Sequence, residues 1–167
     1  MKKIGQGGLT IGMGALLLVA GLTGGAGFTR STGGKAHTNE TAKVVLTVAN
    51  SGPITFQGLV NDSGTDVIGS PTDQITLSQG TLTAKQASTD GGGTFTPKPA
   101  TCSGPVADAG TFSITQGTGA YATLTGGGTY KTAGTVTFPK TSGKCNYNVL
   151  PVKEKITITM KGTFQLG

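Results

Sequence analysis

An all-β fold, a small antiparallel barrel of about eight strands, is what this sequence predicts. Three observations point to it. Near the end of the chain, Ile156, Ile158, Met160, Phe164 and Leu166 alternate with Thr157, Thr159, Lys161, Thr163 and Gln165. That period of two marks a strand with one face buried. No stretch beyond the first 26 residues holds a helical apolar period over two turns, and threonine, a β-branched residue suited to pleated surfaces, recurs throughout. Short apolar runs are separated by Gly, Pro, Asn and Asp clusters at close spacing, as in sandwiches and barrels. Closure of a barrel also removes exposed strand edges.

The 167 residues suit one domain, expected at residues 42–167, behind two segments outside the fold. Residues 1–26 read as a secretory signal peptide: a basic start (Lys2, Lys3), a nearly uninterrupted apolar run from Leu9 to Leu22, and a small-residue exit with Gly24 and Ala26 in the two small positions. The run is short and glycine-rich for a membrane span. The chain is therefore expected to be secreted, with cell-envelope association left open and membrane contact confined to the signal peptide before cleavage. Residues 27–41, rich in Gly, Ser and Thr, read as a flexible tether. His37, the only histidine, lies in it.

Within the domain, residues 43–49 place Val44, Leu46 and Val48 on one face, and residues 54–60 place Ile54, Phe56 and Val60 together. Residues 61–73 read as a turn-rich loop. Ile75 and Leu77, then Leu82 and Ala84, follow with a break in register near Gln79 and Gly80, as at a bulge or corner. A short strand is expected around Phe95. Phe112 with Ile114, and Val136 with Phe138, mark two more strands, and residues 145–151 another. Gly162 falls on the apolar side of the last strand, where it permits close packing.

Cys102 and Cys145 are the only cysteines. An even pair in an exported chain predicts a disulfide. Neither has a CxxC partner or a nearby histidine, which argues against thiol or metal chemistry.

The stretch GTFSITQGTGAYATLTGGGTYK, residues 110–131, reads as strand, corner, strand. Gly117 and Gly119 are expected to supply positive φ, residues 120–124 one helical turn anchored by Tyr121, and Gly126 and Gly128 a strand running close to its neighbour. A phosphate-cradling loop would need a full helix behind it, which this stretch lacks. The same residues resemble a signature of the allene oxide cyclase and dirigent barrel-like superfamily, and are similar to an element of small secreted actinobacterial proteins. Gln116 stands where that family usually has glycine, and Thr123-Leu124 replaces a small-residue pair. The resemblance implies an eight-stranded antiparallel barrel with an internal cavity. Here Phe56, Leu77, Phe112, Ile114, Ile158 and Met160 are the candidates to line it.

A catalytic group is not evident. Glu40, Asp62, Asp66, Asp73, Asp90, Asp108 and Glu154 are all expected in loops or at strand ends, none alternating into a core face. Asp62, Asp66 and Asp73 share one segment but lack the D-x-D-x-D spacing of a calcium loop, and no His/Cys cluster suits zinc. With His37 in the tether, a serine triad has no base. No catalytic, metal or cofactor site is assigned.

Removal of Lys2 and Lys3 lowers the formal charge from +6 to +4. With a single arginine (Arg30), no tryptophan and lysines spread along the chain, nucleic acid is disfavoured. A small apolar ligand or an anionic cell-wall polymer is the expected partner. Three functions follow: a secreted non-catalytic barrel binding a small apolar molecule or a cell-surface partner, a cyclase or isomerase using the barrel as a container, and an envelope structural protein. An inward Asp or Tyr would favour the second, and an interior filled by its own side chains the third.

Overall fold

The computed structural model describes residues 38–46, 50–69, 71–89 and 91–167. The signal-peptide reading, most of the tether, Arg30 and His37 lie outside them, as do Val48 and Asp90.

The strands are β1 (Thr38–Leu46), β2 (Ser51–Gln57), β3 (Ser63–Val67), β4 (Thr72–Leu77), β5 (Gly80–Ser88), β6 (Thr94–Phe95), β7 (Ser103–Gly117), β8 (Leu124–Thr137), β9 (Lys140–Thr141), β10 (Lys144–Cys145) and β11 (Lys153–Leu166). Strands β1 to β5 pair in sequence, β5 pairs with β7, β7 with β8, β8 with β11, and β11 returns to β1. Every pairing is antiparallel, so eight strands close into the expected barrel.

Three strands outrun it. β7 pairs with β5 only from Gly110 onward but with β8 from Ser103, and β11 pairs with β1 only from Ile156 but with β8 from Lys153. Their free ends, edged by β6, form a tip above one rim. The tip has its own small core of Cys102, Val136 and Phe138, against which Phe95 and Tyr147 pack with ring centroids 5.3–5.8 Å apart. The Cys102–Cys145 disulfide forms as expected, with an S–S distance of 2.01 Å.

The barrel core follows the alternation read from the sequence. Ala42, Val44 and Leu46, Ile54 and Phe56, Ile75 and Leu77, Leu82 and Ala84, Ile158 and Met160 all turn inward and are buried. Phe164, fully buried, stands between Phe56 and Phe112 at 6.2 Å from each ring.

The corner at the rim opposite the tip is a single 3-10 turn, Gly119–Tyr121. Gly119 has φ +60, as expected, but Gly117 does not take positive φ. It is glycine because a Cβ would overlap the Tyr121 carbonyl. Tyr121 is buried and donates its hydroxyl to Asp62 Oδ2 at 2.6 Å. Ser78 Oγ and the Gln79 N–H also donate to Asp62. Donation first from Ser78 and then from Tyr121 holds this carboxyl far below its usual range, while burial and Asp62 push Tyr121 up to about 12. Tyr121→Phe should lower Tm by a few degrees and raise the Asp62 pKa, read by NMR titration. An unchanged Asp62 titration would show that this bond does not set the carboxyl's charge.

Several sequence expectations need correction. Residues 61–73 are not one loop but contain β3 and the start of β4. The register break near Gln79 is the β4–β5 hairpin turn, and the bulge lies further on, where β5 meets β7 between Thr83 and Ala84. Residues 145–151 contribute only Cys145 to a two-residue strand. β1 starts at Thr38, inside the segment read as tether, and β11 starts at Lys153.

Candidate functional site

The expectation that no carboxylate faces the core is overturned. Glu40, Asp66 and Asp73 are 3%, 1% and 0% exposed. All three sit at inward positions of strands. Asp66 lies opposite Ile75 on β4, which makes Asp73 its diagonal neighbour on the same face, roughly 7–8 Å away. Asp73 lies opposite Ala84, which brings Gln86 alongside it in the same way.

Asp73 is well supplied with donors. Its Oδ1 accepts the Gly69 N–H at 3.1 Å, and its Oδ2 accepts from Gln86 Nε2. Burial nevertheless raises its pKa to about 6, against the lowering effect of both bonds. Asp66 has no such support: neither carboxyl oxygen has a hydrogen-bond partner among the described residues. Burial, and then the charge of Asp73, raises it to about 7.

The polar layer continues round the rim. Ser88 Oγ donates to Asp108 Oδ1 at 2.7 Å, and Tyr130 Oη donates to Asp108 Oδ2 at 2.8 Å. Tyr130 lies over Gly110, directly opposite it in register, where a Cβ would come within 2.7 Å of the ring. Burial, then Asp108, pushes its hydroxyl up to about 12, so it acts as a donor at ordinary pH. Glu40 lies toward the other rim, with Oε2 accepting the Val60 N–H at 3.1 Å and Oε1 unpartnered among the described residues. Burial raises its pKa.

The residues offered as cavity lining sit in the barrel's packed cluster. Phe56, Leu77, Phe112, Ile158 and Met160 are buried there, and Ile114 is half-buried against them. At their level the interior is occupied by side chains that touch one another. Gly126 and Gly128 lie on β8 against β11, with Gly128 opposite Gly162. Among the described residues, no group of three or more His, Cys, Asp or Glu is placed to hold a metal ion.

The outer surface carries the opposite charge. Every described lysine is exposed, while every described Asp and Glu is buried or half-buried. Lys43 on β1 and Lys131 on β8 flank Thr159 on β11, one on each side. Lys161 lies between Thr41 and Thr129, and Lys155 lies opposite Thr135. Lysines scattered through the sequence thus share one three-stranded face, each opposite threonine and none opposite a carboxylate. A shallow groove of about 380 Å³ runs along this face beside Lys43, lined also by Thr41, Thr55, Gln57 and Thr159. Sequence spacing concealed the face, because its members come from three distant strands.

No family model matches the chain, and no curated protein or solved structure matches it.

Proposed function

We propose that this chain is a non-catalytic β-barrel that binds an anionic cell-surface polymer through the outer face of β1, β11 and β8. The observation that supports this reading most is the segregation of charge: exposed lysines opposite threonines, with the carboxylates turned inward. Left without ion-pair partners across the strands, these ammonium groups are available to phosphate or carboxylate repeats, and the threonine hydroxyls beside them can donate hydrogen bonds. The secretory leader read from the sequence and the disulfide both suit an extracytoplasmic setting. All described aromatic side chains are buried or half-buried, so the face lacks the stacking platforms that single-stranded nucleic acid uses. The packed residues at mid-barrel favour a surface partner over an apolar guest at that level; the inward Asp66, Asp73 and Tyr130 are the feature expected of a container enzyme, but all three are sealed from solvent, which weighs against their reaching a substrate.

Poly(glycerol phosphate) and polygalacturonate are suitable probes. Binding should weaken steeply as salt rises, because exposed charges are screened beyond roughly 8 Å at physiological ionic strength. Each lysine near an anionic surface contributes about 1 kcal/mol. The combined variant Lys43→Gln, Lys131→Gln, Lys155→Gln, Lys161→Gln should therefore lose on the order of 10²–10³-fold in affinity. Lys85→Gln, on β5 away from this face, should change little. Equal binding by the combined variant and the wild type would refute the assignment.

A further inference from the structure

The loop between β10 and β11 shows apolar side chains to solvent. Val149, Leu150 and Val152 are 45%, 71% and 66% exposed, and they are three of the five large apolar side chains exposed among the described residues. Scattered singly, such residues need no explanation; gathered within four positions of one loop they mark a contact surface. The loop is held at both ends. Cys145 before it is in the disulfide, Tyr147 packs edge-on against Phe95 and Phe138, and the Asn148 N–H donates to Asn146 Oδ1 at 3.1 Å. Beyond Leu150, the Val152 N–H donates to the Thr137 carbonyl at 2.8 Å. An anchored loop has little freedom to lose on docking.

The charge around it has one sign. Residues 94–107 and 134–155, which build the tip, carry Lys98, Lys140, Lys144, Lys153 and Lys155, all exposed, and a single carboxylate, Glu154, which is half-buried. Lys144 sits on β10 and Lys153 opens β11, so the two flank the loop along the chain. Lys140 Nζ donates to the Ala100 carbonyl at 3.0 Å, which keeps its charge at the tip. We propose that the tip docks on an anionic lipid bilayer, with Val149, Leu150 and Val152 entering the boundary between headgroups and acyl chains and the lysines meeting lipid phosphates. Apolar residues framed by ammonium groups match the layering of such a surface, hydrocarbon below and negative charge above. The groove beside Lys43 is a separate surface, and of the lysines assigned to the polymer Lys155 alone belongs to both.

The probes are vesicles of phosphatidylcholine, with and without phosphatidylglycerol. The apolar run from Leu9 to Leu22 can bind lipid by itself where it is retained, so the readout is placed in the loop. The chain has no tryptophan, and Leu150→Trp puts a lone indole at an exposed position that folding does not depend on. Its emission should move to shorter wavelength with vesicles containing phosphatidylglycerol. It should not move with poly(glycerol phosphate), which carries the phosphates without the hydrocarbon. Leu59→Trp, in the turn after β2 at the opposite rim, should not respond to either. Adding Lys144→Gln and Lys153→Gln to Leu150→Trp should raise the lipid concentration for half the shift by roughly 10–30-fold. An unchanged emission from Leu150→Trp would overturn the proposal and leave the loop to a protein partner. An equal shift with phosphatidylcholine alone, with poly(glycerol phosphate) or in Leu59→Trp would overturn it as well.

Discussion

Asp66→Asn should make the protein more stable near pH 8, by roughly 2–4 kcal/mol, and leave it almost unchanged near pH 4. Burial and the charge of Asp73 raise the Asp66 pKa from 3.8 to about 7. In the unfolded chain this carboxyl ionises near pH 4, while in the barrel it holds its proton to near neutrality. The folded state therefore binds more protons between these values. Below pH 4 the group is protonated in both states and carries no penalty. As pH rises toward 7 stability falls, and above 7 the loss is complete. Asp73, raised to about 6, adds a second descent of the same sign within that window. Asp62 works in the other direction, since its lowered pKa gives stability that is lost only in acid. Denaturant melts between pH 5 and 8 isolate the buried pair. The wild type should weaken with rising pH, the variant much less. A variant no more stable than the wild type at pH 8 would mean that Asp66 is not charged and unpaired in the folded protein.

Reducing the Cys102–Cys145 disulfide should cost about 4 kcal/mol, the loop entropy that the chain-constraint account assigns to a bridge of this span. For a domain of this size, that lowers Tm by on the order of 10–20 °C. The bridge ties the turn before β7 to β10, and both belong to the tip. Amide exchange should therefore quicken first around Phe95, Phe138 and Tyr147, with the barrel strands following only at global unfolding. The double variant Cys102→Ala, Cys145→Ala should behave as the reduced protein does. A Tm within about 3 °C of the oxidised form would show that the tip is held by its aromatic packing alone.

The strands were legible where apolar residues alternate. β1, β2, β7 and β11 were read from that period, and the corner at Gly119 from glycine with an anchoring tyrosine. β3 was not, because its inward positions are Gly64 and Asp66. Neither looks apolar, and both are common turn formers, so a buried strand carried the composition of a loop. The polar layer was hidden for the same reason: a carboxylate in a strand reads as exposed unless the pairing that turns it inward is known. Gln86 and Tyr130 gave no signal, since their roles depend on neighbours far away in sequence. The lysine face needed the β1–β11–β8 register, which alternation alone does not reveal.

The unequal length of the strands bears on how molecules meet one another. Closure gives every barrel strand a neighbour on both sides, and among the described residues two strand edges extend past it at the tip. One side ends in the two residues of β6, followed after Thr96 by Pro97, which cannot donate a backbone hydrogen bond. The other is the first turn-side stretch of β11, where Lys153 and Lys155 alternate along residues that β1 does not cover. Two such edges brought together would oppose ammonium to ammonium, and a short, proline-ended edge offers little to pair with. Both edges thereby disfavour the growth of a threonine-rich chain with strong β preference into sheets of many copies.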